Sequence, residues 1–230
     1  MLVLGHMGEG LASMSTTISK EYLDLQSTLH ENPHYGVASL GYAPTIADVF
    51  RTIGAQSVSD YGAGKCNLRT GLEKAGLRAF AYFPYDPVFP DYGSPRTADL
   101  VCCIDVLEHI EEEFLPNVIA DLVRITENIG FFTVATGPAQ KVLADGRNAH
   151  LIQKPAAWWL PKFLPYFNIE HLENDEQGFW MIVRPLALLE NGGPAFRRVL
   201  PARNAPPEKP QGLSGVLRQI RETLAGSPAS

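Results

Sequence analysis

The chain has 230 residues, 45% of them hydrophobic and 19% charged, with a formal net charge of −6. That is enough apolar length to bury one sizeable core, so one domain with additions is expected, and the acidic balance argues against a general nucleic-acid binder, whose phosphate contacts need a basic surface. Cys66, Cys102 and Cys103 form no C-x-x-C pair, which argues against a zinc knuckle or a disulfide framework.

The N-terminal MLVLGHMGEG has neither a basic region nor a long apolar core and does not read as a signal peptide. No run of the chain reaches the length of a membrane span. Cys102 and Cys103 lie in an apolar run as small buried hydrophobes, which suits a reducing, cytoplasmic setting. Residues 1–18 are small and polar. Residues 19–31 place Tyr22, Leu25 and Leu29 on one helical face behind Ser19 as a cap. HENPHYGVASLGYAP, residues 30–44, reads as a Pro/Gly-rich connector, and TIADVFRTIG as a helix ending at Gly54.

SVSDYG is a short strand, and CNLRTGLEKAG a helix stopped by Gly76. LRAFAYFPYD and ADLVCCIDV are strands, the second fully buried. The spacing predicts a helix over residues 112–130, with Pro116 in its first turns and Gly130 after its end. IGFFTVAT is another buried strand, PAAWWLPKFLPYF a proline-interrupted helix, and FNIEHLEND and GFWMIVRPL two closing strands. Strands alternating with helices, written as unbroken apolar runs, imply a doubly wound, Rossmann-like α/β fold with a mostly parallel sheet. The last two strands are joined too closely for a helical crossover and should form an antiparallel hairpin. Three units are expected: residues 1–44 as an N-terminal helix and lid-like segment, 45–189 as the main domain, and 190–230 as a Pro/Gly-rich linker with a short amphipathic tail helix. That tail carries six Lys/Arg against two acids from Arg197 onward. Residues 212–226 could dock on their own domain or on a protein partner.

Chemistry gathers at the strand ends. Gly62-Ala63-Gly64 after a strand lets backbone approach a ligand closely. A dinucleotide fingerprint would need a third glycine where Asn67 stands, and a P-loop would need G-K-[ST]. Asp60, just before the glycines, would repel a pyrophosphate and suits a ligand with positive charge. Asp86 follows the next strand, twenty-two residues after Gly64, about where such a sheet places a carboxylate on ribose hydroxyls. A turn residue before Pro87 is its plainer reading.

With DYGAG at 60–64, Asp86 after the second strand and DLVCCIDVLEHI at 99–110, residues 45–186 resemble the class I S-adenosylmethionine-dependent methyltransferases. The resemblance implies that Asp60, Gly62 and Gly64 line the methionine part of the cofactor, that Asn67 also contacts the cofactor, that Asp86 binds the ribose, and that Asp105 and Val106 lie beside the sulfonium. It implies S-adenosylmethionine as cofactor and methyl transfer as the activity. Only twelve residues separate Asp86 from Asp99. The usual helix and third strand cannot fit there, so the sheet should be shortened between its second and fourth strand positions, with the second strand near one edge. Asp91 or Tyr92 could then serve the adenine.

Two stretches offer groups for an oxygen nucleophile. Asp105, Glu108 and His109 form a D-x-x-E-H cluster, and ADGRNAHLI carries Asp145, Arg147, Asn148 and His150. Two carboxylates and two histidines (Asp105, Glu108, His109, His150) could bind a divalent cation, or Glu108 and His109 could simply hold their loop by hydrogen bonds. His150 could be a general base, with Asp105 and His109 as further catalytic candidates. Arg147 could grip an anionic substrate group, with Asn148 beside it. Trp159 could floor a flat or sugar-like acceptor, although aromatics at that spacing are more often core. A small-molecule or saccharide acceptor, methylated on oxygen, is expected, without nucleic-acid or membrane partners. The competing readings are a metal-assisted RNA 2′-O-methyltransferase and a non-catalytic cofactor-binding regulatory or scaffold subunit.

Overall fold

The computed structural model describes residues 16–32, 34–174 and 177–190. The proposed linker and tail helix beyond residue 190 lie outside the described residues. Six strands form one sheet in the order β2-β1-β3-β4-β6-β5. The strands are β1 Ser57–Tyr61, β2 Ala81–Tyr85, β3 Ala98–Cys103, β4 Thr126–Ala135, β5 Phe167–Asn174 and β6 Gly178–Pro185. β2, β1, β3 and β4 run parallel. The closing hairpin is antiparallel, with β6 slotted between β4 and β5. β2 stands at the edge, as the short link from Asp86 to Asp99 requires. No strand or full helix occupies that link; a single 3-10 turn, Pro90–Tyr92, does.

Both faces of the sheet are covered. In β3, Leu100 and Cys102 face one apolar cluster while Val101 and Cys103 face the other. The alternation is invisible as polarity because both faces are buried. On the first side lie α2 Ser39–Ile53 and α3 Asn67–Lys74. On the second lie α4 Leu115–Ile125 and α5 Ala156–Phe163. α1, Lys20–His30, belongs to a third, smaller cluster, where Tyr22 packs with Leu143 and Ala149. A short α6, Leu186–Glu190, closes the described chain. No helix among the described residues is long and apolar enough to cross a membrane.

Two element boundaries differ from expectation. α2 starts at Ser39, inside the supposed connector, and carries Pro44 within it. An internal proline costs about 3 kcal/mol in an isolated helix. Here the first turns are held by packing: Ala43 is buried against the Gly71 backbone, and Tyr42 meets the ring of Phe131. The helix expected to run to residue 129 stops at Ile125, and β4 begins at once. Thr126 ends it by donating its hydroxyl to the Leu122 carbonyl at 2.6 Å, and its backbone joins the sheet opposite Ala98. Gly130 is therefore not a helix stop. It pairs with Val183 in mid-strand, where a Cβ would lie 2.6 Å from the Phe132 ring.

Candidate active site

The parallel register brings three strand tips side by side. Tyr61 is level with Tyr85 on one flank and Cys103 on the other. The chains leaving those tips wall one cavity of about 970 Å³, counted out to its open mouth. Asp60, Gly62, Gly64, Asp86, Asp105 and Val106 all line it, together with His109.

The turn after β1 is built from backbone. The N–H groups of Gly62 and Ala63 both donate to the Tyr85 carbonyl, at 2.7 and 2.9 Å. Gly62 and Gly64 hold φ values of +78° and +49°, where a Cβ is strained. Asp86 fastens this turn to β2. Its carboxylate accepts from Gly64 N at 3.0 Å and from Val88 N at 2.9 Å. Burial raises its pKa against those bonds. Asp60 is buried and accepts from the Tyr82 hydroxyl. Burial pushes its pKa up to about 7, with the Tyr82 bond opposing and the charge of Asp86 adding to the rise.

Asp105 sits in the left-handed region at φ +57°. Its N–H donates to Thr133 Oγ1 at 2.9 Å, which fixes the sharp exit from β3. His109 follows one short turn later, and its Nδ1 lies 2.8 Å from the Ala149 carbonyl. It touches the cavity, yet its ring is enclosed, and that burial holds its pKa down at about 4. His150 comes from the loop after β4, with Nδ1 2.7 Å from the Gly137 carbonyl. The two imidazoles meet edge to face at 4.8 Å.

Other sequence candidates fall elsewhere. Glu108 is fully buried and accepts from Ala135 N at 2.8 Å, and it stands outside the group of ligand atoms formed by Asp105, His109 and His150. Burial and the neighbouring Asp105 charge raise its pKa well above the carboxylate range, so it braces the loop as a hydrogen-bonding group. Asn67 does not line the cavity and donates to the Gly36 carbonyl at 2.9 Å. Asn148 is a loop brace: its Oδ1 accepts from Ala139 N and His150 N, and its Nδ2 donates back to Ala139 O. Arg147 pairs with Asp145 at 2.7 Å and lies over the Tyr22 ring outside the cavity. Trp159 is wholly buried in the core, its Nε1 donating to the Lys154 carbonyl. Asp91 is exposed, whereas Tyr92 donates to the Gly64 carbonyl at 3.0 Å and stacks on Phe89.

The N-terminal segment, read from the sequence as lid-like, roofs the cavity, although Gln26 and Tyr35 were not singled out in it. Tyr22, Gln26, His30 and Tyr35 line it from the N-terminal segment. Gln26 Nε2 donates to the Tyr22 hydroxyl, and the Tyr35 hydroxyl donates to Gln26 Oε1 at 3.2 Å. Burial pushes the Tyr22 hydroxyl up to about 12. The roof is latched to the sheet by Ser19, whose N–H and hydroxyl donate to Glu111 at 2.8 and 2.7 Å. One signal was available: a glutamine four residues after Tyr22, on the apolar side of a helix.

No protein-family model matches the chain, and no curated protein matches it in sequence. Solved structures do match in fold. One is 1,6-didemethyltoxoflavin-N1-methyltransferase of Burkholderia thailandensis, solved with 1,6-didemethyltoxoflavin and S-adenosylhomocysteine. It is 12% identical over 75% of this chain and 92% of its own, with a TM-score of 0.51. Another is an O-methyltransferase family protein from the same organism, 12% identical over 78% of this chain and 67% of its own, with a TM-score of 0.46. The described chain thus has the class I methyltransferase fold, shortened at its β2 edge.

Proposed function

We propose that this protein is an S-adenosylmethionine-dependent methyltransferase acting on oxygen of a small-molecule or saccharide acceptor. The observation that carries this reading is the meeting, in one cavity, of a bare two-glycine turn with three carboxylates from adjacent strand tips: Asp60, Asp86 and Asp105. A phosphate ligand would be repelled there; a ligand with an ammonium and a sulfonium would be held. The fold likeness to a methyltransferase solved with S-adenosylhomocysteine supports the same reading.

The chain's own residues fit the cofactor. Asp60 offers a carboxylate to the amino group. Asp86 spends one lone pair of each oxygen on backbone N–H groups and keeps the others for ribose hydroxyls. Bound there, S-adenosylmethionine supplies an already activated methyl group. Much of the remaining work is alignment of acceptor and methyl, which the enclosed cavity favours. Buried free thiols at Cys102 and Cys103 suit a reducing, cytoplasmic setting.

Calorimetry with S-adenosylhomocysteine tests the reading. One molecule should bind per chain, and Asp60→Ala should abolish the heat. Absence of binding, with NADH binding instead, would overturn it. A panel of hydroxylated acceptors with labelled methyl donor then identifies the acceptor.

A further inference from the structure

Asp105 and His109, from the exit of β3, are brought together with His150, from the loop after β4. One ligand atom of each lies within 4.8 Å of the others. The hydrogen bonds of the two histidines decide which atoms these can be. Each Nδ1 sits within 2.8 Å of a backbone carbonyl, Ala149 for His109 and Gly137 for His150. A carbonyl cannot donate, so each Nδ1 carries the proton, and each Nε2 is left with its lone pair. Each histidine thus offers Nε2, and not Nδ1, to a ligand beside the Asp105 carboxylate. Fixing Nδ1–H on a carbonyl is also how proteins orient a metal-ligating histidine.

We infer that Asp105, His109 and His150 form a divalent-cation site at the edge of the cavity. Two nitrogens and one carboxylate favour a first-row cation such as Mn²⁺, Fe²⁺, Co²⁺ or Zn²⁺ over Mg²⁺ or Ca²⁺, which prefer all-oxygen shells. Three protein ligands leave coordination positions open. Asp105 and His109 both line the cavity, so the open side faces the space for the acceptor. Glu108 lies outside this group of ligand atoms, with Oε1 on Ala135 N. The site deepens the methyl-transfer reading by implying an acceptor with an oxygen able to join the cation, and that last point alone rests on the reading.

The test uses the full chain, stripped with EDTA and dialysed. Mn²⁺ is titrated and the free ion followed by electron paramagnetic resonance; Co²⁺ is added separately and its visible bands recorded. One Mn²⁺ per chain is expected, together with Co²⁺ bands of a nitrogen- and oxygen-ligated ion. His150→Ala and Asp105→Asn should each weaken Mn²⁺ binding by more than about tenfold, the lower end of what losing a merely supporting group costs. Glu108→Gln should leave it unchanged. Circular dichroism checks that each variant is folded; His150 lies on a loop, so its variant decides the matter if an Asp105 variant does not fold. No stoichiometric binding, or binding that survives His150→Ala, overturns the site. S-adenosylhomocysteine binding by the stripped protein is measured alongside, so failure of the cation site is distinguishable from failure of the methyl-transfer reading.

Discussion

Gly62 and Val106 are packed so closely that a Cβ on the first would lie 2.3 Å from Cγ2 of the second. The turn after β1 and the exit from β3 thus touch through a missing side chain, and that contact sets the inner wall of the cavity. Gly62→Ala should destabilise the fold by about 1–3 kcal/mol through overpacking and should weaken S-adenosylhomocysteine binding. Adding Val106→Ala should relieve the clash but not the strain of φ +78° at position 62. Denaturant melts of the single and double variants, with calorimetry, check this. Full recovery in the double variant would show that backbone strain contributes nothing.

Such local features were legible in the sequence. The glycine pair, Asp60, Asp86 and the closing hairpin are written in consecutive residues, and short loops leave the chain few choices. The features that were not legible depend on distant packing. Pro44 reads as a breaker until Ala43 is seen seated on Gly71. The end of α4 is set by the pairing of Thr126 with β3. Glu108 looks like a ligand beside His109, and only the fold turns it to Ala135 N. The Tyr22–Gln26–Tyr35 roof exists only once the N-terminal segment folds back over the strand tips.

Asp60 should make cofactor binding depend on pH. Its folded-state pKa is about 7, raised by burial from an ordinary value of 3.8. The ammonium of S-adenosylhomocysteine prefers the charged carboxylate, so affinity should rise from pH 5.5 through about 7 and level off above it. Stability has the opposite sign. An acid whose pKa is raised on folding holds its proton more tightly in the native state, so its contribution declines as pH rises from about 4 towards 7. Comparing the unliganded parent with Asp60→Asn isolates the effect: the parent should lose stability relative to the variant across that window. Tyr82→Phe removes the bond that holds the Asp60 pKa down, so the midpoint for ligand binding should move to higher pH. Calorimetry across the pH range reads both.

Ser19 links the roof to the rest of the molecule. It caps α1 by accepting from Tyr22 N at 3.1 Å, and it donates twice to Glu111. Losing a cap of this type costs about 1 kcal/mol. The cluster around Tyr22 is separate from the two large cores flanking the sheet, so the cost should fall locally. In Ser19→Ala and Glu111→Gln, amide exchange across residues 20–30 should quicken while β3 and β4 stay protected. S-adenosylhomocysteine should dissociate faster through the loosened roof. Uniform loss of protection across the sheet would contradict a local latch.

Gly71 sets two opposing effects against each other. It lies inside α3, where replacing glycine by alanine gains roughly 1 kcal/mol of helix propensity. Its missing Cβ, however, would lie 2.5 Å from the Cβ of Ala43 on α2. Neither atom can swing aside, because a Cβ is fixed by its backbone. Overpacking of this kind costs about 1–3 kcal/mol, so the steric effect should win and Gly71→Ala should lower the melting temperature. Ala43→Gly alone should also destabilise, by losing both propensity and contact. Combined, the two changes move the methyl group from one helix to the other across the same gap, and the double variant should be more stable than the sum of the single losses predicts. Simple additivity in denaturant melts would mean that the helices slide apart freely, and that the close approach of α2 to α3 does not depend on glycine at position 71.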